Sequence, residues 1–347
     1  MRRPKVLFAI LDWGLGHASR STPLAEWLVD NDCEVTIASS GTAQKWLEGT
    51  FPAAEIIVKP GIDIHYAKRF TSLKIAAQGG AFLNSILAER KWTKSLHEKH
   101  QFDFIVSDNC YGVKHEGVPS FLITHQLNLP LPSLVKKATK SAFEGFFEGF
   151  SEIWVPDSNS QLSGQLSKAS LNIKVEEIGS LSHLTNSEPA SDGKIVGMVS
   201  GPEPHRSLLS GMMGELFEKL NTSCIIFGGI PDGEPKTSGQ VQFIPHPTSE
   251  QLSTELSRAK YIVCRSGYSS LMDLAHLKKQ ALLVPTPDQK EQEYLANHWK
   301  EQFNFATVAQ QDFKKLTRLP ELGGQIPQMT TNQKAFAKLK EVIELFS

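Results

Sequence analysis

Short apolar runs alternate along the whole chain with longer segments of helical spacing. The runs are rich in β-branched and aromatic residues, and this alternation is typical of β–α–β units around a parallel sheet. In the first half the pattern predicts strands at Val6–Leu11, Glu34–Ala38, Glu55–Val58, Phe102–Val106, Ser120–Thr124, Glu152–Val155 and Val175–Ile178. In the second half it predicts strands at Ile195–Val199, Ser223–Phe227, Val241–Ile244, Tyr261–Cys264, Ala281–Val284 and Ala306–Val308. The predicted fold class is α/β, with one architecture built twice.

Residues 180–193 separate the two series and are rich in Ser, Pro, Asn and Asp. Such a composition is typical of an interdomain connection. A chain of 347 residues is also long enough for two domains of ~100–200 residues each. We therefore predict domains at 1–180 and 181–331, followed by a terminal segment at 332–347.

The terminal segment reads as an amphipathic helix with Asn332 as its N-cap. Its apolar residues share one helical face, which requires a surface to pack on: Ala335, Phe336, Leu339, Val342, Ile343 and Phe346.

Composition narrows the classes of function. Hydrophobic residues make up 40% of the chain and charged residues 21%, which indicates a folded protein. The net charge of −1 provides no general attraction for nucleic acid or an anionic bilayer. The cysteines are too far apart for a zinc knuckle or a disulfide framework and favour a reducing cytoplasm: Cys33, Cys110, Cys224 and Cys264. No apolar run approaches the ~18 residues of a membrane span, so any membrane contact is expected to be peripheral.

A glycine turn, Asp12–His17, follows the first strand and precedes a helical segment. Amides in such a turn can approach an anion, and the dipole of the following helix favours negative charge. Pro23 predicts a helix start between Ala18 and Thr22. The dinucleotide-binding alternative is disfavoured because Ser19 replaces the third glycine of that motif.

His17 lies at the carboxyl end of the first strand, where ligand sites of parallel sheets occur. A histidine can act as a base at neutral pH if a neighbour orients it, and Asp108 ends the fourth strand on the same rim. The alternative is that both side chains merely cap loops.

A second glycine turn, Arg265-Ser266-Gly267, follows the strand Tyr261–Cys264 and again precedes a helix. Its amides and Arg265 form a second candidate phosphate site. On that helix Asp273 could accept hydrogen bonds from sugar hydroxyls, the alternative being a solvated carboxylate. Two polar loops are candidates for the same ligand: residues 285–294, with Gln292 and Glu293, and residues 200–206, with Ser200 and Gly201.

Together these pieces resemble the GT-B glycosyltransferases of family 28, the type of the lipid II-forming N-acetylglucosaminyltransferase. The turn Trp13–Arg20 is most similar to a group of predicted bacterial and archaeal glycosyltransferases. The resemblance implies two Rossmann-like domains facing a central cleft, with the last helix crossing back to the first domain. It also implies that the first domain binds the acceptor and the second binds a nucleotide sugar.

By this resemblance the base, usually uracil, contacts Phe243 and Ile244, and Asp273 takes the ribose position. Ser266 and Gly267 would hold the diphosphate, and Gln292 with Glu293 would contact the sugar. The family usually has Glu at the ribose position and Gln-Gln at the sugar, so Asp273 and Glu293 are departures.

The resemblance further assigns His17 as the base that deprotonates the acceptor, with inversion at the anomeric carbon. Gly14, Gly16 and Arg20 would hold an acceptor phosphate or the donor diphosphate. Amides, the helix dipole and Arg265 would stabilise the leaving group without metal or cofactor. The D-x-D run at 30–32 is expected at the opposite end of the sheet, as a solvated turn.

Aromatic residues at helical spacing follow three lysines in one segment: Lys136, Lys137, Lys140, Phe143, Phe146, Phe147 and Phe150. They predict either a core helix, which is favoured, or an interfacial helix at a lipid surface.

The sequence therefore predicts a cytoplasmic, inverting, metal-independent hexosyltransferase. It would use a UDP-sugar and a glycan or lipid-linked acceptor, with peripheral contact at the inner face of the plasma membrane in the latter case. The alternatives are a nucleotide-sugar hydrolase on the same scaffold, an inactive nucleotide-sugar-binding protein and, less favoured, an epimerase.

Overall fold

The computed structural model describes residues 2–61, 72–128, 143–186, 193–201, 203–220, 222–230 and 233–346, with the backbone alone at 72–79. The chain divides into two units, one of Met1–Leu181 with Thr330–Ser347 and one of Ser182–Met329. The terminal helix thus belongs to the first unit.

The first unit is built on a seven-stranded parallel sheet in the order β3-β2-β1-β4-β5-β6-β7. Its strands are β1 Lys5–Ile10, β2 Glu34–Ser39, β3 Glu55–Val58, β4 Phe104–Asp108, β5 Ser120–Ile123, β6 Glu152–Val155 and β7 Lys174–Glu177. Its described helices before the second unit are α1 Leu15–Asp30, α2 Gly41–Thr50 and α3 Ser72–His100, with a 3₁₀ turn at Gly164–Ser167.

The second unit has a six-stranded sheet in the order β10-β11-β9-β8-β12-β13, parallel except for the β10–β11 pair. Its strands are β8 Ile195–Met198, β9 Cys224–Phe227, β10 Lys236–Ser238, β11 Val241–Ile244, β12 Tyr261–Cys264 and β13 Leu282–Leu283. The described helices are α4 His205–Lys219, α5 Ser249–Arg258, α6 Tyr268–Leu277, α7 Lys290–Phe303 and α8 Gln310–Phe313.

Two edge segments differ from the strands that the sequence predicts. Lys236–Ser238 forms an antiparallel strand that the sequence does not signal, because its three residues are polar and exposed. Ala306–Val308 is predicted as a strand, but the structure has only a single bridge between Leu283 and Thr307 there.

Each sheet has a switch point beside its first strand. β1 lies between β2 and β4, and β8 lies between β9 and β12. The chain leaves the first strand on one side and returns on the other, which opens a crevice at the carboxyl ends of the strands. The loops after β1, β4, β8 and β12 are therefore the places to look for ligand-binding residues.

The predicted start of the first helix is wrong. α1 begins at Leu15, directly after Gly14, which has a φ of 88°. Pro23 lies inside the helix and removes only the amide that would bond to the carbonyl of Ser19. The earlier start puts His17 within the first turn of α1.

The last helix, α9 Gln333–Glu344, packs on the first unit by aromatic and charged contacts. Phe336 stacks on Trp27 with ring centroids 5.8 Å apart, and Lys338 pairs with Glu152 and Glu176 of the outer strands. Asn332 occupies the N-cap position, but its side chain makes no capping hydrogen bond.

The aromatic stripe faces protein. Phe147 and Phe150 are buried in a cluster with Ile86, Tyr111 and Leu122, which supports the core reading, whereas Lys136, Lys137 and Lys140 lie outside the described residues. No helix within the described ranges is long and apolar enough to cross a membrane. In the D-x-D turn, Asp32 is exposed and pairs with Arg3.

Candidate active site

The structure brings His17 and Asp108 into contact at the switch point of the first sheet. Asp108 is the last residue of β4, where it aligns with Ile10 of β1, and His17 follows β1. Nδ1 of His17 lies 3.1 Å from Oδ1 of Asp108. A proton on Nδ1 satisfies this hydrogen bond and leaves the lone pair on Nε2, the tautomer required of a base.

The Asp108 carboxylate is fully buried and saturated with donors. Arg20 donates to both carboxylate oxygens, from Nε to Oδ2 at 2.9 Å and from Nη2 to Oδ1. Ser21 donates from Oγ to Oδ2 at 2.7 Å. Burial alone would raise the pKa of Asp108, but the charges of Arg20 and His17 and their hydrogen bonds hold it well below its usual range. Asp108 is therefore ionised at neutral pH.

The same surroundings keep His17 neutral. Burial lowers the pKa of His17, and the charge of Arg20 lowers it further, which together outweigh the opposing effect of Asp108. A neutral imidazole oriented by a buried carboxylate can take a proton from a bound hydroxyl group at Nε2.

The assignment of Arg20 to a phosphate is wrong. Only 2% of Arg20 is exposed, and its guanidinium is committed to Asp108. The assignment of Gly14 and Gly16 stays a prediction: Gly14 is an exposed N-cap, and Gly16 lies in the first turn of α1. The sequence reading also missed Ser21, although its spacing of four residues from His17 is the helical spacing of side chains on one face.

In the second unit the loop after β12 has a different arrangement from the predicted one. Arg265 is 0% exposed and donates to three backbone carbonyls, those of Val284, Pro285 and His205. Burial lowers its pKa to about 10, so it stays charged. Its predicted contact with a diphosphate is therefore wrong, because the buried guanidinium ties three loops together instead.

Gln292 joins the start of α6 to the loop after β13. Ser266 donates to its backbone carbonyl at 2.8 Å, and its Oε1 accepts the backbone N–H of Thr286 at 2.9 Å. Its Nε2 lies 3.8 Å from where a Cβ on Gly267, the N-cap of α6, would stand. This arrangement puts an amide donor beside the N-terminus of a helix, where backbone amides attract anions.

The loop after β8 adjoins this group. Gly201 has a φ of 98°, and a Cβ there would lie 3.7 Å from Oγ1 of Thr286. Ser200 is exposed. Thr286 therefore lies beside two of the predicted residues, Gly201 and Gln292, and it belongs to the polar loop 285–294 that the sequence singles out.

Asp273 and Glu293 both have protein partners. Asp273 is buried and accepts a hydrogen bond from Oγ of Ser182 at 2.6 Å, so the solvated-carboxylate alternative is wrong. Burial raises its pKa to about 7. Glu293 accepts the N–H of Asp288 at 3.0 Å and pairs with Lys290 at 2.8 Å, which anchors its own loop.

Phe243 and Ile244 are half-buried on β11, with the Nζ of Lys236 5.2 Å from the Phe243 ring centroid. β9 and β8 separate β11 from β12, a distance of about 14 Å at ~4.8 Å per strand. The structure thus does not bring Phe243 and Ile244 into contact with Gly267. Among the described residues, no group of His, Cys, Asp and Glu side chains could hold a metal ion.

Comparison with protein families gives a match that covers most of the second unit and the last helix, α9. Residues 233–344 match the glycosyltransferase family 28 C-terminal domain. An uncharacterized glycosyltransferase of Methanosarcina acetivorans is 24% identical over 322 residues, covering 83% of this chain and 81% of that protein.

Solved structures of several glycosyltransferases share the fold. The kitacinnamycin glycotransferase matches with a TM-score of 0.63 at 14% identity, covering 99% of this chain and 96% of that one. Acinetobacter baumannii MurG matches at 0.52 and 15% identity, covering 89% and 86%. The spinosyn rhamnosyltransferase SpnG, complexed with thymidine diphosphate, matches at 0.60 and 14% identity, covering 90% of each chain. The predicted two-domain α/β fold and the resemblance to family 28 are confirmed.

Proposed function

We propose that this family 28-like glycosyltransferase of the GT-B fold transfers a hexose or N-acetylhexosamine from a UDP-sugar to an acceptor hydroxyl, with inversion and with His17 as the general base. The observation that carries the proposal is the contact between His17 Nδ1 and Asp108 Oδ1 at 3.1 Å. It supports a neutral, oriented imidazole at the carboxyl edge of a parallel sheet, where substrates bind.

The chemistry asked of His17 is a single proton transfer. As the acceptor oxygen attacks the anomeric carbon, its proton moves to Nε2, and the imidazolium formed is stabilised by the adjacent Asp108 carboxylate. The bond between the sugar and the diphosphate breaks on the opposite face. Attack opposite the leaving group inverts the anomeric configuration.

The donor is assigned to the second unit. The match to the family 28 C-terminal domain over 233–344 includes most of the proposed donor residues: Phe243, Ile244, Ser266, Gly267, Asp273, Gln292 and Glu293. Two kinds of hydrogen-bond donor favour binding of a diphosphate at the start of α6. They are the N-terminal backbone amides of α6 and the Nε2 of Gln292. The Gly201 loop adjoins them through Thr286.

We also propose that the reaction needs no metal ion, because of the groups that would bind the diphosphate. Amides at a helix N-terminus and a neutral side-chain amide can stabilise the departing diphosphate directly. Arg265 contributes indirectly, by holding the loops that carry these groups.

The acceptor is proposed to be a hydroxyl group of a glycan or of a lipid-linked molecule. The reaction is proposed to take place in the cytoplasm, and at the inner face of the plasma membrane if the acceptor is lipid-linked. A hydrolase is the second candidate, because the His17–Asp108 pair would activate a water molecule equally well.

The first test is ligand binding by thermal shift with UDP-, GDP- and dTDP-sugars, since a ligand that binds only the folded state raises the melting temperature. We expect UDP-sugars to give the largest shift. Stabilisation by GDP-sugars alone, or by dTDP-sugars alone, would remove the uracil assignment.

The second test follows turnover of the stabilising donor with and without glycan and polyprenyl-phosphate acceptors. Acceptor-dependent UDP release and an anomerically inverted product are expected. Rapid release of free sugar without any acceptor supports the hydrolase instead, and binding of UDP without any turnover supports an inactive binding protein.

A further inference from the structure

Arg20 is one of the most deeply buried charged residues in the first unit, with 2% of its surface exposed. A guanidinium is tolerated in such surroundings only when it is paired and hydrogen-bonded. Here its partner is Asp108, and the pairing is two-pronged, with Nε at 2.9 Å from Oδ2 and Nη2 on Oδ1. The planar fork therefore fixes the plane of the carboxylate as well as its charge.

The plane of the carboxylate matters because the same carboxylate also contacts His17. Oδ1 of Asp108 is also the atom that faces Nδ1 of His17. Arg20 and His17 are three residues apart on α1, so one helix carries both the imidazole and the group that orients its partner.

We propose that Arg20 is a positioning residue of the transfer reaction, holding the Asp108 carboxylate ionised and in the one orientation that directs Oδ1 at His17. The proposal rests on the proposed role of His17 as the base. It assigns Arg20 a role through Asp108, with no contact to either substrate.

Within the part of the chain that the structure describes, charged or titratable groups act on His17 from three elements around it. Arg20 comes from α1, Asp108 from β4, and His125 from the loop after β5. With Arg20 charged, Asp108 anionic and His17 neutral, the first two charges balance. Removal of the guanidinium leaves a buried anion, which favours proton uptake on the two groups in direct contact, Asp108 and His17. Either outcome removes the neutral, oriented base at pH 7.

Ser21 provides a matched control. It donates one hydrogen bond to Oδ2 of the same carboxylate at 2.7 Å but carries no charge. S21A therefore removes a contact of similar geometry without changing the charge of the site.

The experiment compares R20M, R20K and S21A with the unaltered enzyme by the pH dependence of kcat/KM for the donor that gives turnover. For R20M we expect the acidic limb to move up by about one pH unit or more, with kcat at pH 7 reduced roughly ten- to a hundredfold and KM nearly unchanged. R20K should restore most of the limb position but not the full kcat, because lysine keeps the charge and loses the fork. S21A should leave the limb in place.

A second readout does not require catalysis. Histidine side chains labelled with ¹³C and ¹⁵N report the protonation of His17 by NMR, with H17Q identifying its signal among the eleven histidines. In R20M the Asp108–His17 pair should bind a proton at a higher pH than in the unaltered protein. This readout keeps the proposed transferase function and the proposed role of Arg20 distinguishable. If the protein turns over no nucleotide sugar, the proposed function fails, but the effect of R20M on the protonation of His17 can still be measured.

The proposal is overturned if R20M lowers kcat equally at every pH and leaves the His17 titration unchanged, the result expected of a merely structural residue. It is also overturned if R20M has the kcat of the unaltered enzyme. If R20M does not fold, R20K decides: unaltered kcat with the fork removed would contradict the positioning role.

Discussion

The Asp108 carboxylate and the His17 imidazole are 91 positions apart in sequence and 3.1 Å apart in space. Their meeting depends on β1 and β4 being neighbours in the sheet, with Ile10 aligned with Asp108. The parallel register brings the carboxyl ends of both strands to one edge, and the first turn of α1 carries His17 back to it. The contact between the proposed base and its orienting carboxylate thus results from the order of the strands in the sheet.

Replacement of His17 should abolish transfer while sparing donor binding. H17A removes the base, and loss of general-base catalysis costs roughly 10²–10⁴-fold in rate. UDP binding, measured by calorimetry, should stay within about twofold, since the proposed donor residues all lie in the second unit. H100A, at the end of α3, serves as the control and should keep full activity. Undiminished turnover by H17A would contradict the base assignment.

Asp108→Asn should damage both activity and stability. The amide is nearly isosteric, but it leaves Arg20 as a buried, unpaired charge, and breaking such a pair costs about 3–5 kcal/mol. Because the folded-state pKa of Asp108 lies below its usual value of 3.8, its contribution is complete at neutral pH and is lost as pH falls below about 4. Urea unfolding at pH 7 and at pH 3, below the usual pKa of the group, should show the stability gap between D108N and the unaltered protein narrowing on acidification. A gap independent of pH would argue against a stabilising ionised carboxylate.

The sequence was enough to predict the strands that are apolar and buried, because burial on both faces imposes continuous apolar runs. It could not predict Lys236–Ser238, whose exposed polar residues pair only through the backbone. It was also misled by Pro23, since the proline signal for a helix start is local, whereas the glycine at position 14 and packing of α1 set the actual start.

The errors among the candidate residues concern arginines. Arg20 and Arg265 both follow or flank glycine turns, where an exposed cation would bind phosphate, and both are instead buried against protein oxygen atoms. Whether an arginine at a strand end points into solvent or into the interior depends on side-chain packing, which residue spacing does not encode. The pairing of His17 with Asp108 was accessible because it depends only on strand ends.

The attachment of α9 to the first unit can be tested with two leucines. Leu339 is 0% exposed and Leu345 is 72% exposed, near the end of the same segment. Leu339→Ala should lower the free energy of unfolding by about 2–5 kcal/mol, and Leu345→Ala should change it by less than about 0.5 kcal/mol. Equal effects in thermal or urea unfolding would mean that the helix is not packed as described.

Asp273 should make the protein less stable as pH rises toward neutrality. Its folded-state pKa of about 7 exceeds the usual 3.8, so the folded state holds a proton that the unfolded state releases between about pH 4 and pH 7. Stability from this group is therefore lost across that window. D273N keeps an acceptor for Ser182 and does not titrate, so it should be the more stable protein at pH 8, by roughly 4 kcal/mol, with little difference at pH 4. A stability difference of the opposite sign at pH 8, measured by urea unfolding, would contradict a neutral buried carboxyl.

Two atoms of the Gln292 side chain have different roles: one makes a structural hydrogen bond, and the other is proposed to bind the ligand. Oε1 accepts the N–H of Thr286 at 2.9 Å, whereas Nε2 lies beside Gly267 at the start of α6. Q292E retains an oxygen for Thr286 but replaces the donor with an anionic oxygen, which would repel a diphosphate held at that helix start. UDP and UDP-sugar affinity should fall about tenfold or more, the equivalent of ~1.4 kcal/mol, in protein whose circular dichroism shows that it is folded. E293Q is the matched control at the next position, where the carboxylate anchors its loop through Asp288 and Lys290 and is proposed to contact the sugar rather than the diphosphate. It should keep the affinity for UDP within about twofold. If Q292E bound UDP as tightly as E293Q, the diphosphate would have to be held elsewhere than at the α6 N-terminus.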